Sequence, residues 1–113
     1  MDTVTLRRAL TAALKSRDAV AVSALRSALA AIENAGAVDA AHAPSPGSGP
    51  IAGAVAGLGA GEVERQPVDV RAVVAAEVEQ RRAAAREYAA LGRPDRAERL
   101  QAEADVLAAH LRS

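Results

Sequence analysis

Apolar residues recur at helical spacing near the start of the chain: Leu6, Leu10, Ala13 and Leu14, with Arg17 continuing the series. That period predicts a first helix from about Thr5 to Ser16, and Asp2 or Thr3 is placed to cap it. Asp18 then offers an N-cap for a second helix from Ala19 to Ala35, whose apolar stripe is Val22, Leu25, Leu29 and Ile32. Gly36 is a natural stop, since glycine takes the left-handed turn that ends many helices. With so short a link at Arg17 and Asp18, the two helices are expected to be antiparallel neighbours.

The pattern then fails. Residues 37–68 show no periodicity, and His42-Ala43-Pro44-Ser45-Pro46-Gly47-Ser48-Gly49-Pro50 has the chemistry of a linker. Ile51 to Gly61 is Ala-rich, but Gly53, Gly57, Gly59 and Gly61 each weaken a helix there. The region 37–68 therefore reads as a flexible Pro/Gly-rich linker, with residues 42–61 expected to be open to proteases.

Periodicity returns after Asp69, the expected cap of a third helix reaching about Ala90, with a stripe of Val70, Val74, Val78, Ala85 and Tyr88 flanked by Val73 and Leu91. Gly92 ends it. Pro94 suits the first position of a new helix and Asp95 the positive end of its dipole. The fourth helix has the clearest stripe, Ala97, Leu100, Ala104, Leu107 and Leu111, with Asp95–Arg99 and Arg99–Glu103 as i,i+4 pairs on its outer face. The expected fold class is all-α: two antiparallel helical hairpins, residues 1–36 and 69–113, joined by the linker. Neither hairpin can bury its stripe alone, so the two pack on each other or on a second chain.

Composition sharpens this picture in two ways. Half of the residues are hydrophobic, yet Phe and Trp are absent and Tyr88 is the sole Tyr, so the core rests on a few Leu, Val and Ile among many Ala. Alanine favours helices and close approach but buries little area each, which predicts modest stability. The chain also has no cysteine, which excludes disulfides and thiolate metal sites. Met1-Asp2-Thr3-Val4-Thr5-Leu6-Arg7-Arg8 lacks the apolar run of a signal peptide, and no stretch reaches the ~18 apolar residues of a membrane span. A cytoplasmic location without membrane contact is the expectation. With 14 basic and 14 acidic residues there is no net field to draw in nucleic acid.

Candidate chemistry is sparse. Gly57-Leu58-Gly59-Ala60-Gly61 lacks the preceding strand and the spacing of a phosphate-cradling fingerprint. His42 and His110 lie far apart without further ligands at matching spacing, so no metal or cofactor is expected. Glu77, Glu79, Glu87, Glu98, Glu103 and Asp105 read as solvated helix faces rather than pocketed acids, and no serine has a His partner at suggestive spacing; no catalytic residue is assigned. One group stands out. Arg81 falls on or beside the buried stripe, one turn after Glu77. Arg82 and Arg86 form a like-charge i,i+4 pair, unfavourable unless an anion meets it. Together with Arg93 and Arg96 at the hairpin tip they make a candidate contact for an anion, tRNA or a protein partner, against the plainer reading of a solvated face threaded with ion pairs. No aromatic residue in the patch can stack on bases, which argues against sequence-specific RNA reading.

The ordered series of motifs resembles a known family. Lys15-Ser16-Arg17-Asp18, Ser23-Ala24-Leu25-Arg26 and Ala30-Ala31-Ile32-Glu33-Asn34 are similar to the opening hairpin of GatB/YqeY-type proteins. Glu77-Val78-Glu79-Gln80-Arg81-Arg82, Gly92-Arg93-Pro94-Asp95 and the run from Glu103 through Leu107 to Leu111 are similar to that family's second half. The similarity spans about residues 6–36 and 70–111. It departs in the long Gly/Pro insertion, in the loss of most lysines, and in ending at Leu111-Arg112-Ser113 where the family continues into a further small helical domain. The resemblance implies one all-α domain made of both hairpins, with Asp18, Arg26, Glu77, Arg81, Gly92 and Asp95 as structural motif residues. It also implies an association with glutamine-dependent tRNA amidotransfer, a carbon–nitrogen ligase chemistry with glutamine as amido donor. The catalytic residues of such enzymes lie in other subunits, so this chain is expected to be an accessory domain whose partners are tRNA or amidotransferase subunits.

A second reading comes from Glu87-Tyr88-Ala89-Ala90-Leu91-Gly92-Arg93-Pro94-Asp95-Arg96-Ala97, which also looks like the turn of a tetratricopeptide repeat and would make the chain a partner-binding scaffold. That architecture needs about three stacked repeats of ~34 residues. The first hairpin does not repeat the pattern.

Overall fold

The computed structural model describes residues 1–41 and 67–113, with side chains placed for 1–37 and 67–113. Four helices follow in order: α1 over Thr3–Ser16, α2 over Ala19–Ala41, α3 over Val70–Ala90 and α4 over Pro94–Arg112. No strand occurs among the described residues, so the fold is all-α. The linker reading, including His42, the Gly57–Gly61 run and the protease-sensitive stretch 42–61, falls outside the described residues, apart from its two ends. Pro67 and Val68 at the far end are outside any helix, but the first few positions are helical. α2 runs through Gly36 to Ala41 instead of stopping at Ala35. A mid-helix glycine costs about 1 kcal/mol relative to alanine, and Ala35, Ala37, Ala40 and Ala41 around it favour helix enough to offset that.

The chain divides into two compact units, one of Met1–Ile32 with Asp69–Ser113 and one of Glu33–Val68. The larger unit holds α1, α2 as far as Ile32, α3 and α4, and its core can be read residue by residue. Leu6, Leu25, Val74 and Leu107 are its largest fully buried side chains. Alanine fills the rest: Ala13, Ala21, Ala24, Ala28, Ala85, Ala104 and Ala108 are all buried. The face that α2 buries is therefore rotated from the expected Val22–Leu29 stripe towards Ala21, Ala24 and Ala28, with Val22 and Leu29 only half-buried. Small side chains let helices approach closely, and close approach is how an Ala-rich core excludes water. Two expected core leucines are outside it. Leu14 is 48% exposed on α1 and Leu91, the residue that caps α3, is 73% exposed.

The helix starts use the expected acids. Asp2 accepts from the Thr5 amide at 2.8 Å, Asp18 from the Ala21 amide at 3.1 Å and Asp69 from the Ala72 amide at 3.1 Å. α3 and α4 pair antiparallel along their whole length. Arg71, at the start of α3, donates to the Leu111 carbonyl at the end of α4, 2.6 Å away, and Arg81 meets Glu103 midway. Among the described residues no helix is long and apolar enough to cross a membrane.

Candidate functional site

The most concentrated chemistry among the described residues is a chain of charges threaded through the larger unit. Arg81 donates from Nη1 to Glu77 Oε1 at 2.9 Å, one turn back on α3, and from Nε to Glu103 Oε1 on α4 at 3.1 Å. Glu103 Oε2 accepts from Arg99 Nε at 3.1 Å. The chain extends at both ends to α2: Ser27 Oγ donates to Glu77 Oε1 at 3.1 Å, and Arg99 Nη2 reaches the Ala19 carbonyl at 3.5 Å. The side chains of Arg81 and Glu103 are only 11% and 10% exposed. Charges withdrawn that far from water persist only when each is paired and hydrogen-bonded, and here every buried side-chain polar atom among the described residues has a partner. The pairing of Glu77 with Arg81 matches the expectation from their spacing. The expectation that Glu103 lies on a solvated outer face does not hold: Glu103 is buried, and Glu77 is nearly so. The spacing contained the signal. Glu103 stands three residues after Leu100 and four before Leu107, on the same stripe, and only its charge argued for the outside.

The four arginines of the candidate contact do not present four bare cations. Arg82 pairs with Glu79 at 3.2 Å, Arg93 lies 3.7 Å from Asp95, and Arg96 sits over the Tyr88 ring at 5.7 Å from its centroid. The last is within the range of a cation–π contact. Arg86 is exposed and, among the described residues, has no ion-pair or hydrogen-bond partner. Asp95, expected to pair with Arg99, lies instead beside Arg93, and Arg99 turns to Glu103 and Ala19.

The remaining motif residues have local roles. Asp18 caps α2, as above. Arg26 is exposed and borders a shallow groove at the first hairpin's tip with Leu14, Arg17, Ala19, Val22 and Ser23. Gly92 has φ 76°, and a Cβ built there would meet nothing within 4 Å, so its requirement is backbone conformation and not space. Other shallow hollows lie beside Tyr88, Arg96 and Leu100, and between Ala85 and Ala97. None is an enclosed pocket that could strip water from an acid and a base. No group of three or more His, Cys, Asp or Glu able to hold a metal ion occurs among the described residues.

Comparison with protein-family models, curated proteins and solved structures finds no match to this chain.

Proposed function

We propose that this chain is a GatB/YqeY-type helical domain that serves glutamine-dependent tRNA amidotransfer as a non-catalytic accessory, offering a surface to a partner and leaving the chemistry to it. The observation that carries this reading is what the resemblance residues do. Glu77, Arg81 and Glu103 are engaged with one another inside the unit, Gly92 holds a turn, and Asp18 caps a helix. The most distinctive side chains are thus structural, and the exposed arginines remain for contact. Three of those four already have an intramolecular partner, so a nucleic-acid contact would exchange pairs and not gain bare ones. That points to weak, electrostatic binding.

Capture from native cytoplasm, scored for tRNA and for amidotransferase subunits, tests the association; recovery of neither overturns it. If tRNA binds through about three phosphate contacts, affinity should fall roughly 10- to 100-fold between about 50 and 200 mM salt. Arg82→Glu with Arg86→Glu should abolish it with the helices intact. Tight, salt-insensitive tRNA binding would contradict the electrostatic reading, and ammonia release from glutamine by the purified chain would contradict the accessory one.

A further inference from the structure

The outer face of the second hairpin carries a groove with a charge pattern that is its own complement. Its floor is Ala85 and Ala89 from α3 and Ala97 from α4, and its lips are Arg86 on α3 and Glu98 on α4. Both lip residues are exposed, and among the described residues neither has a charge partner. Their heights match. Arg81 and Glu103 face each other across the antiparallel pair, and stepping equally from Arg81 to Arg86 and back from Glu103 to Glu98 brings the two lips opposite one another. They do not close on each other, because the alanine floor lies between.

We propose that this groove is the contact surface for a second copy of the same chain, in a twofold dimer whose axis runs along the groove. Such an axis lays α3 of one copy over α4 of the other, so that Arg86 of each copy meets Glu98 of its partner. An isologous interface needs a patch that complements itself, and one positive and one negative lip at equal height satisfy that requirement. The alanines let the two faces approach closely. The chain's formal net charge of zero removes the long-range repulsion that keeps many small domains apart. A nucleic-acid partner fits the same surface less well, because Glu98 would repel phosphate.

The test is sedimentation of the full chain at several concentrations with charge-reversed variants. The native chain should show a concentration-dependent dimer. Arg86→Glu and Glu98→Arg should each weaken it by roughly tenfold or more, because two facing pairs turn from attractive to repulsive. Mixing these two variants should restore association, since every facing pair in the mixed dimer is again opposite in sign. The double variant should likewise dimerise with itself. Circular dichroism of each variant separates loss of association from loss of fold. A monomer at every concentration overturns the proposal, as does a dimer indifferent to both reversals or a mixture no tighter than its components. Glu98→Arg also separates this surface from the tRNA reading: it should break the dimer, whereas added positive charge would not weaken tRNA binding.

Discussion

At the tip of the first hairpin the chain turns through Arg17 at φ 58°, and at the tip of the second through Gly92 at φ 76°. The hydrogen bonds are the same in kind. Asp18 reaches back to the Ala13 carbonyl at 3.0 Å and Arg17 to Leu14 at 3.3 Å; Arg93 reaches Tyr88 at 2.8 Å and Gly92 reaches Ala89 at 3.1 Å. Each pair satisfies the carbonyls left over where a helix ends. The chemistry around them is divided in opposite ways. The first tip has a poor residue for left-handed backbone and a good N-cap, Asp18, for the helix that follows. The second has the ideal left-handed residue and no side-chain cap, with Pro94 and Asp95 in its place. Neither tip has both devices.

The bodies of the hairpins differ as well. The first contributes Leu6, Leu25 and Ile32 among alanines, and the buried chain of Glu77, Arg81, Glu103 and Arg99 belongs to the second. The hairpin with the less permissive turn thus relies on apolar contact, while the other adds a directional network. A packed charge chain tolerates few registers, so we expect it to fix how α3 meets α4 and where α2 sits against them.

The largest test of that contrast is in the core. Leu107 is fully buried, and Leu107→Ala should cost about 2–5 kcal/mol. Leu14, nearly half exposed, should lose under about 1 kcal/mol on the same truncation. Thermal melts of the two variants decide it, since about 1 kcal/mol moves the midpoint of a domain this small by roughly 4–8 °C. Equal shifts would mean that the fourth helix does not anchor the unit.

Next comes the network. Glu103→Ala leaves Arg81 with one carboxylate instead of two at a site almost closed to water, and should cost about 2–3 kcal/mol. Glu79→Ala breaks the pair with Arg82, where both side chains are well exposed, and should stay within about 0.5 kcal/mol. Denaturant titration resolves that difference. A Glu103 variant as stable as the Glu79 one would show that the buried chain contributes nothing to holding α3 against α4.

Much of this is legible in the sequence, and the exceptions have separate causes. Helix starts were readable because Asp2, Asp18 and Asp69 are local signals, and a cap acts within three residues. The stop at Ala35 was misread because Gly36 is also a local signal, and the alanines beyond it outweigh one glycine. Glu103 was misread because charge and spacing gave opposite answers, and the deciding fact, an arginine waiting on another helix, is not local at all. Arg82 finds Glu79 one turn back on the same helix, a spacing the sequence displays, whereas the partners of Arg93 and Arg96 come from turn geometry and ring position that no period encodes.

A smaller effect separates the tips. Gly92→Ala introduces a side chain at positive φ with room for it, so its cost is conformational, about 1 kcal/mol. Arg17→Gly should move the other way and stabilise by about 0.5 kcal/mol, relief of left-handed strain being partly offset by a freer unfolded chain. Asp18→Ala should cost about 1 kcal/mol. Shifts of the same sign at Arg17 and Gly92 would contradict the division of labour between the turns.

The smallest expected effect is one of pH, at the start of the first hairpin. Asp2 is held below its ordinary carboxylate value, first by the Thr5 amide and then by the Thr5 hydroxyl, with Arg8 adding attraction. A carboxylate whose folded pKa is lowered stabilises the fold above its unfolded value, near 3.8, and that stabilisation is lost as pH falls through the lower folded value. The native chain should therefore gain stability on Asp2→Ala as pH rises from about 3 to 5, so that the two unfolding curves lie close at the acid end and diverge above it. Asp2→Asn keeps a capping oxygen without a titrating proton, so its curve should run nearly parallel to that of Asp2→Ala through this window. Denaturant midpoints for the three proteins at a series of pH values make the comparison. An Asp2→Asn curve that rises with the native one would show that the titration does not belong to Asp2.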